Sequence, residues 1–322
     1  MALTHLTMPI SPSSTPALDG ITVLSLALNL PGPAALQRLR ALGASCIKFE
    51  PPGAQPDVPG DPMAQYSARA YAALHQGIQV EPIDLKTSAG QARLNAALHD
   101  SDVLLTSFRP SACAKLGLTA QRLARINPKL CWIAIVGSAG AQAEHPGHDL
   151  TYLAESDLLT GTELPATLYA DMGGALMATE AVLSALLQRA RTGSGVYQTI
   201  ALADAAAHLA QPRQWGLMQS TSAVGGGHAG YQIYRCRDGR IALAALEPHF
   251  AKRLCGLLNL DWQGIATMFD PDTHTRVAAW AADHDGAQLE ALARDHDLPL
   301  HVLPDTPIDA TNGPTSKAPL NR

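Results

Sequence analysis

The stretch "PGHDLTYLAESDLLTG" (146–161) sets an imidazole and a carboxylate side by side, His148 and Asp149, directly after a Pro-Gly turn. A run with helical character follows, and downstream of it "LYADMGG" places another carboxylate, Asp171, ahead of two glycines. Two chemistries suit such residues. Asp149 and Asp171 are of a type that caps helices by accepting from the free N–H groups of a first turn. A histidine beside a carboxylate is equally a site for proton transfer, because imidazole changes charge near neutral pH and an adjacent carboxylate sets its tautomer. Helix capping and acid–base catalysis both stand until the surrounding elements are read.

The chain has 322 residues, enough for one large domain or two with a real core. Hydrophobic residues make up 47% and charged residues 16%, a balance that suits a compact fold and argues against disorder. A formal net charge of −5 provides no basic field to draw in nucleic acid or an anionic membrane. The five cysteines (Cys46, Cys113, Cys131, Cys236, Cys255) show no paired or zinc-like spacing and read as reduced core thiols, with no metal site expected. No stretch approaches about 20 uninterrupted apolar residues, and the first residues lack a basic-then-apolar leader. A soluble cytoplasmic protein is the expectation.

The elements that must position these groups alternate. Strand-like runs at 21–28, 45–50, 78–85, 102–108 and 130–138 are separated by helical patterns at 34–43, 88–100 and 118–126. Strand, helix, strand at this spacing predicts parallel βαβ units in a doubly wound sheet covered on both faces. Glu81-Pro82 inside one strand is unusual, since proline removes a ladder donor. From about 172 a long helix runs to Arg189, Arg191 and a glycine stop, and "VYQTIALADAAAHLAQPRQWGLMQ" continues helical. "SAVGGGHAG" (222–230) reads as a flexible hinge or domain boundary. A hairpin with Asp238-Gly239 as its turn and helices at 249–259 and 287–294 complete a smaller α+β module. The expected division is a Rossmann-like domain at 1–221, a small domain at 222–303 and a poorly ordered tail at 304–322.

The glycines of "VGGGHAG" do not join a first strand to a helix, and GxxxxGK[ST], HExxH, an EF-hand loop and GxSxG do not occur. Dinucleotide binding and the standard hydrolase and kinase chemistries are therefore set aside.

Several strings in register point elsewhere. "GITVLSLALNLPGPAALQRLRALGASCIKFEPPG", "IDLKTSAGQ", "SFRPSACAKLGL", "INPKLCWIAIVGSAG", "PGHDLTYLAESDLLTG", "PATLYADMGGALMATEAVLSALLQRARTGSG" and "YRCRDGRIALAALEPHF" occur in that order. Together, from about residue 20 to 300, they resemble the class III CoA-transferase and α-methylacyl-CoA racemase family. The "GHD" of His148 and Asp149, the "AD" of Asp171 and the "EP" of Glu247 resemble its racemase branch. The resemblance implies isomerisation of 2-methylacyl-CoA thioesters by proton transfer at the α-carbon, with acyl-CoA as substrate and no tightly bound cofactor. It also implies branched fatty acyl metabolism and an interlocked homodimer whose site uses both subunits.

Such chemistry needs one base on each face of the α-carbon, so His148, helped by Glu247, would serve one face and Asp171 the other. The enolate oxygen needs donors, and free N–H groups beside Asp149 at a helix start suit it. For CoA, Arg109 in "SFRP", Lys48 and Lys86 are the candidate cations, with Gly147 beside the histidine. Gln76, Ile78 and Gln79 stand where the family carries basic residues, a loss that weakens attraction for a polyphosphate. The chain also stops a few dozen residues before the family's usual return to the large domain. Two alternatives accompany the racemase reading: CoA transfer through an acyl anhydride on Asp171, and a degenerate relative that binds without turnover.

Overall fold

The computed structural model describes residues 15–55 and 58–304. The chain divides into two compact units, one ending at Ala210 and the other beginning at Gln211.

The first unit is built on six strands: β1 (Thr22–Ser25), β2 (Ser45–Glu50), β3 (Gln79–Pro82), β4 (Val103–Thr106), β5 (Cys131–Val136) and β6 (Tyr197–Ala201). They hydrogen-bond in the order β3-β2-β1-β4-β5-β6, every pair parallel. This is the doubly wound arrangement expected from the alternation. Its helices are α1 (Pro31–Ala41), α2 (Pro62–Tyr66), α3 (Ala68–Leu74), α4 (Ser88–His99), α5 (Pro110–Lys115), α6 (Ala120–Ile126), α7 (Asp149–Glu155), α8 (Tyr169–Thr192) and α9 (Leu202–Gln214).

Period-2 alternation divides the strand side chains between two cores. Val23, Val103, Leu105, Ile133 and Ile135 face one side and pack with α1 and α8, whose Leu36, Leu39, Ala178 and Val182 are fully buried. Leu24, Leu104, Trp132 and Ala134 face the other and pack with Leu94 and Leu98 of α4 and Leu123 of α6. Pro82 ends β3 at the edge of the sheet, where a missing N–H leaves no ladder partner unsatisfied.

One reading of the sequence is corrected in this unit. Residues 197–201, read as helix, form the sixth strand: Trp132 pairs with Tyr197 and Val136 with Ala201. The alanines that follow do belong to a helix, α9, and the strand ahead of them is held by the open edge of β5. In addition, α8 is long and apolar enough, by length and composition, to cross a membrane. Its residues Ala170, Ala175, Ala178 and Ala185 are instead wholly buried in the core, and it ends at Gly193 in the left-handed region (φ 76°), whose N–H donates to the Arg189 carbonyl.

The second unit pairs β7 (Tyr231–Cys236) with β8 (Gly239–Ala244) and β8 with β9 (Leu300–Pro304), all antiparallel. Helices α10 (Pro248–Leu257), α11 (Pro271–Ala282) and α12 (Gly286–Asp295) contribute Leu254, Val277 and Leu289 to a core with Ile241 and Leu243. The hairpin closes on Arg237-Asp238, because Gly239 already pairs with Cys236. The glycine stretch expected as a hinge is packed tightly. A Cβ on Gly225 would stand 2.1 Å from the Gln219 carbonyl oxygen, and Gly227 N–H donates to Ser222. Helix α11 and strand β9 had no counterpart in the sequence reading. Apart from Pro304, the segment read as a tail lies outside the described residues.

Candidate active site

Strand order reverses between β1 and β4, so the loops leaving their carboxyl ends diverge and leave a crevice, the usual ligand position in such sheets. A cavity of about 390 Å³ lies there. Its walls come from Leu28–Pro31 after β1, Ser107–Arg109 after β4, Ile135–Gly137 at the end of β5, and the segment that carries His148 and Asp171. In dinucleotide folds the first helix offers its N–H groups to a pyrophosphate at this point. Here α1 opens Pro31-Gly32-Pro33, so Gly32 supplies the only N–H of those three residues.

The site grows from two helix starts. His148 is the N-cap of α7 with extended backbone (φ −142°). The Thr151 hydroxyl accepts from the His148 N–H at 3.1 Å and donates to its carbonyl at 2.8 Å. That exchange satisfies the backbone of this residue, and its imidazole is exposed. Asp149, the first helical residue, is 5% exposed, and its Oδ1 accepts from the backbone N–H of Asp171 at 2.9 Å. It therefore does not cap its own helix; it ties α7 to the first turn of α8.

Asp171 is half-buried in that first turn. Burial pushes its carboxyl up to about 6, the nearby Asp149 charge pushes the same way, and His148 opposes them. Two carboxylates have thus been driven apart in role. One is committed to a backbone N–H, and the other is poised to exchange a proton near neutral pH.

Tyr152, unmarked in the sequence reading, stands one helical turn after His148 and lines the same cavity. Its ring is 4% exposed and is received by two glycines: a Cβ would stand 2.3 Å from the hydroxyl at Gly137 and 2.6 Å from the ring at Gly147. The hydroxyl makes no hydrogen bond among the described residues, and burial, then the Asp171 charge, raises its pKa. The available signal was the i, i+4 spacing from His148, which puts both side chains on one helix face.

The other expected residues separate into four places. Arg109 and Gly147 line the cavity with His148, Asp149 and Asp171. Lys86 is exposed and lines a neighbouring cavity of about 460 Å³. Lys48 is not available to a ligand: its side chain is 0% exposed and ion-paired with Glu50 and Asp61 inside the unit. Glu50, Asp61 and His75 bring ligand atoms within 4.8 Å of one another, a set that could hold a metal, but the Lys48 ammonium is bonded to all three. Glu247 belongs to the second unit, as the exposed N-cap of α10. Of the positions where cations were expected, Ile78 is buried while Gln76 and Gln79 are exposed. All five cysteines are free and buried, as expected, with Cys46 pushed up to about 12 and Cys113 to about 11 by burial.

Comparison with known proteins gives the chain's relatives. Residues 18–315 match the family model described as CoA-transferase family III. The chain is 30% identical over 301 residues to the human α-methylacyl-CoA racemase, covering 84% of this chain and 75% of that one. It is equally 30% identical, over 272 residues, to the succinate–glutarate CoA-transferase of Agrobacterium fabrum, covering 77% and 68%. Among solved structures, the Rv3272 protein of Mycobacterium tuberculosis superposes with a TM-score of 0.75 at 26% identity, covering 88% of this chain and 82% of that one.

Proposed function

The chain belongs to CoA-transferase family III, and on that premise we propose that it epimerises 2-methylacyl-CoA thioesters, moving the C2 proton through an enolate. The observation that carries this reading is the pairing, in one cavity, of the exposed His148 imidazole with the Asp171 carboxyl raised to about 6.

The residues divide the work as follows. One of His148 and Asp171 takes the C2 proton; the C–H electron pair moves onto the thioester oxygen as the C–H bond breaks. The other group then delivers its own proton to the opposite face, forming the new C–H bond and inverting the centre. The enolate oxygen needs a donor in a low-dielectric setting, and the free hydroxyl of Tyr152 supplies one. Asp149 positions Asp171 through its N–H. Glu247, the N-cap of α10 in the second unit, enters this reading only through the resemblance of its "EPHF" segment.

For the remainder of the thioester, the two cavities share Phe108. The neighbouring cavity has apolar walls from Phe49, Pro51, Ile83 and Leu116, suited to an adenine ring, and carries Lys86 beside the carboxylates of Asp84 and Glu50. Arg109 lines the first cavity next to the shared Phe108, as the cation assigned to the thioester's phosphates. The apolar walls of the first cavity favour a branched aliphatic acyl group, and the working form is taken to be a homodimer.

A second reading rests on the same Asp171 carboxylate, whose oxygens make no hydrogen bond among the described residues and are free to attack. As a nucleophile it would take the acyl group from CoA as an anhydride, releasing the thiolate, as expected of a transferase. The deciding experiment is incubation with a 2-methylacyl-CoA in D₂O. Deuterium gained at C2 with loss of chirality, abolished by His148→Ala and by Asp171→Asn, supports epimerisation. Retention of the C2 proton, with acyl transfer to an added carboxylate, supports the second reading.

A further inference from the structure

Beneath the cavity wall lies a cluster of charges that the proposed chemistry does not use. Lys48 and Asp61 are each 0% exposed, Glu50 is 4% exposed and His75 is 8% exposed. The Lys48 ammonium donates to Asp61 Oδ2, lies 3.2 Å from Glu50 Oε2, and is 2.7 Å from His75 Nε2. An ammonium can only donate. His75 Nε2 must therefore accept, which places the imidazole proton on Nδ1, 2.7 Å from the Tyr71 carbonyl that receives it. Lys48 is thus hydrogen-bonded to Asp61 and His75 and ion-paired with Glu50. Tyr71 donates its hydroxyl to Glu50 at 3.2 Å.

Asp61 has a second oxygen, and it faces the wall. Oδ1 accepts from the backbone N–H of Asn29 at 3.0 Å and of Met63 at 2.9 Å, and both residues line the cavity. Asn29 adopts the left-handed region at φ 64°, which side chains other than those of asparagine and aspartate rarely enter. Its own side-chain Oδ1 is buried without a partner. The turn after β1 is thus held by a bond to a carboxylate that is itself fixed by a buried lysine. Buried ion clusters are often no more stabilising than apolar residues of the same volume, so stability alone does not account for one here.

We infer that Lys48, Asp61 and His75 are positioning residues that hold the Asn29 turn and the start of α2 as the wall gripping the acyl-CoA. The inference rests on the acyl-CoA reading of that cavity. It assigns the cluster to substrate affinity rather than to proton transfer, because His148 and Asp171 stand on α7 and α8 and make no hydrogen bond to it.

The test measures acetyl-CoA binding by calorimetry, and KM and kcat for C2 exchange of a 2-methylacyl-CoA, in the intact protein. Asp61→Asn turns an amide N–H₂ or loses an acceptor toward Lys48, and is expected to raise Kd and KM about tenfold with kcat within about twofold of wild type. His75→Leu, at the cluster's edge and a milder risk to folding, is expected to raise both constants several-fold. His75→Gln, which restores an acceptor for Lys48, is expected to return them toward wild type. A purely structural role predicts a lower thermal midpoint or a smaller active fraction with Kd and KM unchanged, and that result overturns the inference. Wild-type protein that binds acetyl-CoA while His75→Leu binds it equally well overturns the inference alone. Wild-type protein that binds no acetyl-CoA overturns the reading of the cavity and the inference with it.

Discussion

The carboxylate of Asp149 accepts the backbone N–H of Asp171 at 2.9 Å, so one acid holds the start of the helix that presents the other. The contact is both a geometric tie and a source of charge, and the two roles separate on substitution.

Asp149→Asn keeps an oxygen for the Asp171 N–H but removes a charge that raises the Asp171 carboxyl. In the direction where Asp171 acts as base, the wild-type rate should fall as pH drops through about 6. In Asp149→Asn that acidic limb should move to lower pH, by only part of the wild-type shift, because burial is the larger cause. A pH–rate profile of C2 exchange reads the displacement directly.

Asp171 should also cost the fold stability at neutral pH. Its folded pKa of about 6 lies above the ordinary value of 3.8, so ionisation is disfavoured in the native state. That penalty is absent below about pH 4, grows between about 4 and 6 and is fully present above, where Asp171→Asn should stabilise by roughly 1–3 kcal/mol. Urea unfolding at pH 7 and at pH 4 checks the sign: a gain at pH 7 that vanishes at pH 4.

Gly137 and Tyr152 should be coupled. A methyl at Gly137 would meet the Tyr152 hydroxyl at 2.3 Å but its nearest ring carbon only at 3.2 Å. Gly137→Ala is expected to destabilise the native protein by about 1–3 kcal/mol, and markedly less in a Tyr152→Phe background. Equal costs in both backgrounds would show that the hydroxyl is not what the glycine accommodates.

Helix α8 presents Met172, Leu176, Leu183 and Leu187, 39–57% exposed, on one face at helical spacing. This face, apolar apart from the exposed Glu180 among its leucines, suits a second copy of the chain. Light scattering should give twice the 33.9 kDa chain mass, and Leu183→Glu with Leu187→Glu should return the monomer. A monomeric wild type at micromolar concentration would remove the dimer from the proposal.

What the sequence determined by itself was local and chemical. The alternation of β-branched runs with helical spacing was enough for a parallel sheet, because period and composition are properties of neighbouring residues. The order of seven motifs identified the family, and the adjacency of His148 and Asp149 with Asp171 downstream singled out the groups to which proton transfer is assigned. What only the tertiary structure decided were facings and partners set by residues distant in the chain. Tyr197–Ala201 is a strand because β5 leaves an open edge beside it, not because its own residues exclude a helix. Lys48, a plausible surface cation from its type, is sealed inside because Asp61 and His75 fold over it from 13 and 27 residues away. Asp149 turned from a local cap into a clamp because the start of α8, 22 residues on, offers its N–H. Burial, which raises the Asp171 carboxyl and lowers the His75 imidazole, is a property of the assembled interior, and no spacing along the chain reports it.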